Sequence, residues 1–320
     1  MGAGSPLHER DDPRPRGTAH RLPRRTARPG EARRRHRDRR PHRHDRGLRV
    51  RPALIVSTGS ATHPGLRRAL NEDAHLASAP VFVVADGMGG HEAGERASAA
   101  VIAEFSGSVG RASLELDDVR LALSRARASV EELSTSGNGR AGTTLSGVVI
   151  ASVDGMGYWL AVNIGDSRTY RLADGELEQI SVDHSVVQEL IEAGEITVED
   201  AATDRRRNII TRAIGASSTG DADYWLFPAE LGDRIMVCSD GLTSEVSDAR
   251  IREVLQGTPD PQKAADMLVD DAVTAGGRDN ITVVVVDAVS VASRPGTLLE
   301  TDSDIDMDTR PREAAAGGVR

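Results

Sequence analysis

Four short apolar runs, rich in β-branched residues, each end or begin at an acid. Val81–Ala85 leads into Asp86-Gly87-Met88-Gly89-Gly90, Leu160–Val162 into Asn163-Ile164-Gly165-Asp166, and Met236–Cys238 into Ser239-Asp240-Gly241, while Asp279-Asn280 stands just before Ile281–Val286. Unbroken apolar runs of this length predict strands, and Ile281–Val286 reads as one buried on both faces. The acids therefore fall at strand ends, beside glycines that let backbone approach closely. A carboxylate in such a place is costly unless a cation or hydrogen-bond donors offset its desolvation. If the four ends converge, the like charges cannot all remain ionised alone, and oxygen-binding divalent cations are the natural remedy. Taken singly, each acid is also an ordinary turn residue, and Gly165-Asp166-Ser167 a tight hairpin; the recurrence favours ligands.

The rest of the pattern supplies packing elements. Leu54–Thr58 predicts a first strand, followed by a polar connection over 65–74 that carries Arg67, Arg68, Glu72 and Asp73. Apolar spacing predicts helices over His91–Val109 and Leu116–Leu133, then strands over Thr143–Val153, Gly157–Asn163 and Ser167–Leu172. Asp154-Gly155 and Asp174-Gly175 are hairpin turn signals. A helix capped by Ser185 or Asp183 runs to Leu190, and a polar surface flap covers 191–208. Ile209–Gly215 returns to the core, Tyr224–Phe227 and Arg234–Cys238 continue the strands, and Pro261–Ala275 predicts the last helix. Clustered strands joined by hairpins predict an α+β fold with antiparallel sheets rather than a doubly wound parallel one.

Composition separates the two ends from this region. Residues 1–52 hold 17 arginines against six acids, a surplus of eleven positive charges, so a chain of net −9 leaves residues 53–320 near −20. That arm has no apolar periodicity and predicts a disordered segment. Its arginines invite phosphate contacts, but interleaved aromatics, a helix-turn-helix and a zinc pattern are missing, so nucleic-acid binding is not expected. Residues 291–320 read as a disordered acidic tail around Thr301–Asp308. There is no signal-peptide pattern and no apolar run near the roughly 20 residues of a membrane span. The lone Cys238 suits a reducing compartment, and a cytoplasmic monomer is expected. Ser244, not an arginine, stands six residues after Cys238, so a cysteine-nucleophile phosphatase loop is excluded and Cys238 reads as core.

The series Arg68…Asn71-Glu72-Asp73, Asp86-Gly87-Met88-Gly89-Gly90, Gly142-Thr143-Thr144, Asn163–Arg168, Asp183-His184-Ser185, Ile210–Gly215, Ser239-Asp240-Gly241 and Arg278–Thr282 resembles the bacterial form of the type-2C metal-dependent Ser/Thr protein phosphatases, over about residues 55–288. The resemblance implies a four-layer αββα sandwich, two central antiparallel sheets flanked by helices, as a phosphatase domain over 53–290. It also implies a binuclear Mn²⁺ or Mg²⁺ centre. Asp86 would bridge both ions, Asp240 and Asp279 would complete one site, the Gly87 carbonyl would bind at the other, and Glu72 and Asp73 would hold the ions' waters. Asp166 would join Asp240 at a third, weaker site, and Arg68 would grip the substrate phosphate. A hydroxide bridging the ions would attack phosphorus without a covalent intermediate, on phosphorylated proteins that are targets of a Ser/Thr kinase. One departure stands out. Eukaryotic relatives place a histidine, a candidate general acid, where this chain has Met88; His91 and His184 are the sequence candidates for that role, with His184 reading as structural. Competing readings are a phosphoprotein-binding module without catalysis, a nucleic-acid binder using the arm, and a regulatory phosphatase acting on an anti-sigma-factor antagonist.

Overall fold

The computed structural model describes residues 52–89, 92–136, 141–201, 203–218 and 220–292. The expected arm, all but Pro52, and the acidic tail, apart from Val291 and Ala292, lie outside the described residues, as does His91. The described strands form two antiparallel sheets. One has the order β1 (Leu54–His63), β12 (Ile281–Val291), β11 (Arg234–Cys238), β7 (Arg168–Ala173), β8 (Glu176–Gln179). The other runs β10 (Asp223–Pro228), β6 (Met156–Ile164), β5 (Leu145–Val153), β3 (Val81–Met88), β4 (Gly142–Thr143), β9 (Ile214–Gly215), with β2 (Asp73–Ser78) also paired to β3.

Side-chain alternation along the central strands builds the layers. Val81, Val83 and Ala85 face α1 (Ala93–Ser106) and α2 (Leu116–Ser136), packing with Ala97, Val101, Phe105, Val119 and Ala126. Phe82 and Val84, the alternate residues, face the second sheet and meet Ile235, Val237, Val284 and Val286. On the far side Met236, Cys238, Val283 and Val285 pack under α6 (Asp248–Gly257) and α7 (Pro261–Ala275), against Ile251, Leu255, Ala265 and Leu268. Three apolar layers thus separate helix, sheet, sheet and helix, and this is the expected αββα sandwich. A strand with both faces buried cannot alternate polar and apolar residues, which is why these runs are uninterrupted.

Some elements differ from the sequence reading. β2 lies partly inside the expected polar connection; its Asp73-Ala-His-Leu-Ala-Ser is half-buried along its whole length and gives no clean alternation. β1 runs on to His63, α6 was not signalled, and the expected strand Thr143–Val153 is broken at Thr144. The Asp154-Gly155 hairpin is as expected, with φ of 52° and 79° at its two central residues. The flap segment enters through α3 (Val186–Glu192), capped by Ser185, whose side chain accepts from the Gln188 N–H at 3.3 Å, and contains the short α4 (Val198–Ala201). The other cap candidate, Asp183, is instead committed to Arg168, at 2.7 Å from its Nη2.

Candidate metal centre

The apolar runs end together, and the acids meet there. Asp86 and Gly87 lie at the end of β3; Asp73 opens β2 directly opposite Asp86 in the strand register. Asp240 begins the one-turn α5 (Asp240–Thr243) at the end of β11, Asp279 sits two residues before β12, and Asp166 lies in the turn between β6 and β7. Their mutual fields record the convergence. Burial pushes the Asp86 carboxyl well above the usual carboxylate range, and the charges of Asp73, Asp240, Asp166 and Asp279 push it further. Burial, then Asp240 and Asp183, raise Asp166 to about 8. Asp240 is raised by burial and by Asp279, while its side-chain interaction with Asp86 and the charges of Arg68 and Arg168 work the other way. Carboxyls packed this closely mark a place where a cation can stand.

Behind them, Asp73 is raised to about 7, chiefly by burial, although its Oδ2 accepts from Ser239 Oγ at 2.8 Å and Thr282 Oγ1 at 2.7 Å. Its Oδ1 and the Oε1 of Glu72 are buried without a hydrogen-bond partner among the described residues. An orphaned carboxylate oxygen is costly. Two such oxygens at the rim of an all-oxygen acid cluster fit hard divalent cations and the waters these carry. Gly87 allows the close approach this needs, since a Cβ there would overlap the carbonyl oxygens of Gly94 and Glu72. The donor set therefore fits Mg²⁺ or Mn²⁺, although among the described residues no three acids already stand in coordinating positions. Part of the reason is visible at Asp279, whose Oδ1 accepts from the Asn280 N–H at 2.8 Å and whose Oδ2 is 2.7 Å from Arg68 Nη2. That ion pair is half-exposed, with side-chain exposures of 51 % and 34 %, so it holds weakly.

Several residues that shape the site gave little sequence signal of it. Thr143 and Thr144 read as plain strand residues, but they pin the backbone of Asp86. Thr143 Oγ1 donates to the Asp86 carbonyl at 2.9 Å, and Thr144 gives that carbonyl its N–H and accepts the Asp86 N–H at 3.0 Å. Asn280 stitches the Arg68–Glu72 segment to β12: its Oδ1 accepts from the Glu72 N–H at 2.8 Å and its Nδ2 donates to the carbonyls of Pro64 and Leu70. His184 is 5 % exposed and both ring nitrogens are engaged, Nδ1 with the Gly165 N–H at 3.1 Å and Nε2 with Asp223 Oδ2 at 3.0 Å. It has no nitrogen left to protonate a leaving group, in keeping with its structural reading. A cavity of about 620 Å³ opens from Asp166 and Asp240 beneath the flap, reaching Gln188, Arg207 and Asn208.

Comparison with known proteins bears on the family of the chain. The chain matches the family model described as protein phosphatase 2C over residues 67–270. It is 38 % identical over 274 residues to the serine/threonine protein phosphatase PstP of Mycobacterium tuberculosis, an alignment covering 83 % of this chain and 52 % of the relative, so the chain spans about half the length of that protein. It is 35 % identical over 217 residues to the serine/threonine phosphatase stp of Listeria innocua, covering 65 % of this chain and 84 % of the relative. Among solved structures, the catalytic domain of PstP in complex with two manganese ions superposes with a TM-score of 0.66 at 36 % identity, covering 74 % of this chain and all of that one.

Proposed function

Because the chain belongs to the protein phosphatase 2C family, we propose that it hydrolyses phosphoserine and phosphothreonine on proteins, using two Mn²⁺ or Mg²⁺ ions and water, without a covalent enzyme intermediate. The observation that carries this reading is the convergence of Asp86, Asp240, Asp279 and Asp166 at four strand ends, with the orphaned oxygens of Glu72 and Asp73 behind them. Asp86, Asp240, Asp279 and the Gly87 carbonyl hold the two ions, Glu72 and Asp73 orient the ions' waters, and Asp166 with Asp240 offers a third, weaker position. When bound, the ions supply Lewis acidity, lowering a water's pKa from about 15.7 towards about 7 and offsetting charge on the phosphoryl oxygens. Arg68 leaves Asp279 for the phosphate, where its planar fork matches two oxygens. The Thr143 and Thr144 bonds fix the backbone of Asp86, so that part of the site is held in place as charge shifts.

The substrates on this reading are phosphorylated targets of a Ser/Thr kinase. Residues 53–290 carry the activity; the Arg-rich arm 1–52 and the tail 291–320 are appendages to it. Among the described residues no helix is long and apolar enough to cross a membrane. The test is hydrolysis of a phosphothreonine peptide and of para-nitrophenyl phosphate by the full chain with Mn²⁺, Mg²⁺ or EDTA, beside Asp240→Asn. Turnover is expected only with metal, and at least about 10²-fold lower in the variant. Turnover that survives EDTA or Asp240→Asn, or none from folded wild type with either metal, would sink the reading.

A further inference from the structure

His184 is the one residue that bonds both backbone groups of Gly165 in the turn that carries Asp166. Gly165 has φ of 108°, a conformation closed to other residues, and a Cβ there would lie 2.5 Å from Thr144 Cγ2. Its N–H donates to His184 Nδ1 at 3.1 Å, and its carbonyl accepts both the His184 N–H at 2.9 Å and Asn163 Nδ2 at 3.2 Å. A nitrogen that accepts a hydrogen bond carries no proton, so the neutral ring bears its hydrogen on Nε2, which then donates to Asp223 Oδ2 at 3.0 Å. Arg212 Nη1 lies 3.3 Å from both that nitrogen and Asp223 Oδ1, and with Nε2 protonated its bond goes to the carboxylate. The same histidine joins the two ends of the flap. Its carbonyl accepts the Thr211 N–H at 2.8 Å, and the adjacent Ser185 forms a β-bridge with Ile210.

We propose that His184, as its Nε2–H tautomer, is a positioning residue: it fixes the Gly165–Asp166 turn through the Nδ1 acceptor, and so sets the cation position shared by Asp166 and Asp240, while anchoring both flap ends to that turn. The cation half rests on the reading of Asp166 given above. A histidine that merely filled space would tolerate either amide as a substitute. The proposal distinguishes them, because an asparagine carbonyl falls near Nδ1 whereas a glutamine amide falls near Nε2.

The experiment compares wild type, His184→Asn, His184→Gln and Asp166→Ala in the full chain by amide hydrogen exchange at Gly165 and by calorimetric titration with Mn²⁺. His184→Asn is expected to keep Gly165 protected and to bind Mn²⁺ within about twofold of wild type. His184→Gln is expected to speed Gly165 exchange by about tenfold or more and to weaken only the weakest class of Mn²⁺ sites to a similar degree. Equal exchange in the two histidine variants, or protection kept by glutamine and lost by asparagine, would overturn the positioning role. An isotherm unchanged by Asp166→Ala would refute the cation half through Asp166 itself, whatever Gly165 does. Should both histidine variants fail to fold, ring nitrogen shifts of the wild type decide: an unprotonated Nδ1 coupled to the Gly165 N–H supports the proposal, and a protonated Nδ1 overturns it.

Discussion

Glu245 and Asp73 are both buried acids, but they face opposite surroundings. Glu245, with its side chain 1 % exposed, takes three bonds from Arg278: from Nε at 2.8 Å and the backbone N–H at 3.1 Å on Oε1, and from Nη2 at 2.8 Å on Oε2. The Arg278 guanidinium holds its carboxyl below the usual range near 4.5, whereas Asp73, among like charges, is driven up to about 7. For Glu245 the depressed value means that its stabilisation is complete above about pH 4.5 and is lost as pH falls through the lower folded pKa. Glu245→Gln should therefore lower the thermal midpoint at pH 7, and the deficit should shrink steadily below about pH 4.5. Unfolding scans from pH 7 to 3 check this; a deficit that stays constant or grows in acid would contradict it. The sequence marked Asp86, Asp240 and Asp279 because an acid that stops an apolar run is a local signal. It could not mark Thr144 or Asp223 in the same way, since each acts on a partner 58 or 39 positions away in the chain and only folding brings them together.

Among the elements, the two sheets are tied by more than apolar contact. Asp233, just before β11, is buried and accepts from Trp159 Nε1 on β6 at 3.1 Å and from Arg171 Nη2 on β7 at 2.7 Å, so one carboxylate joins strands of both sheets. Asp233→Ala leaves a largely buried guanidinium and an indole N–H without their acceptor and should cost about 3–5 kcal/mol, most of it the penalty of the stranded charge. Urea unfolding measures it, and a loss below about 1 kcal/mol would show that water or Glu230, 3.5 Å from Arg171, takes over. Strong periodicity made α2, α7 and the central strands legible, with α7 matching its expected span Pro261–Ala275. Where periodicity failed, so did the reading. β4 and β9 have two residues each, too few for a pattern, and α6 carries charged residues around only three buried side chains. The break at Thr144 is invisible as punctuation, because no glycine or proline stands there and β4 and β5 keep one register against β3 across it.

At the scale of the whole molecule, residues 53–320 carry about twenty excess negative charges, and several of them are packed into one cleft instead of being spread over the surface. Folding has to bring Asp86 into the field of four other acids, so the native state works against that repulsion unless cations offset it. Mn²⁺ bound only to the folded chain should raise its thermal midpoint by mass action. Asp86→Asn removes a buried carboxyl from this cluster, and in EDTA it should unfold at a higher temperature than wild type, by about 2–4 °C for each kcal/mol of repulsion relieved, while losing turnover. A lower midpoint for the variant in EDTA would mean that the cluster is not under electrostatic load. If the load is real, durability and chemistry pull in opposite directions at this cleft. A population of variants screened for heat resistance alone would drift towards catalytic silence, and only selection for turnover would keep the acids together.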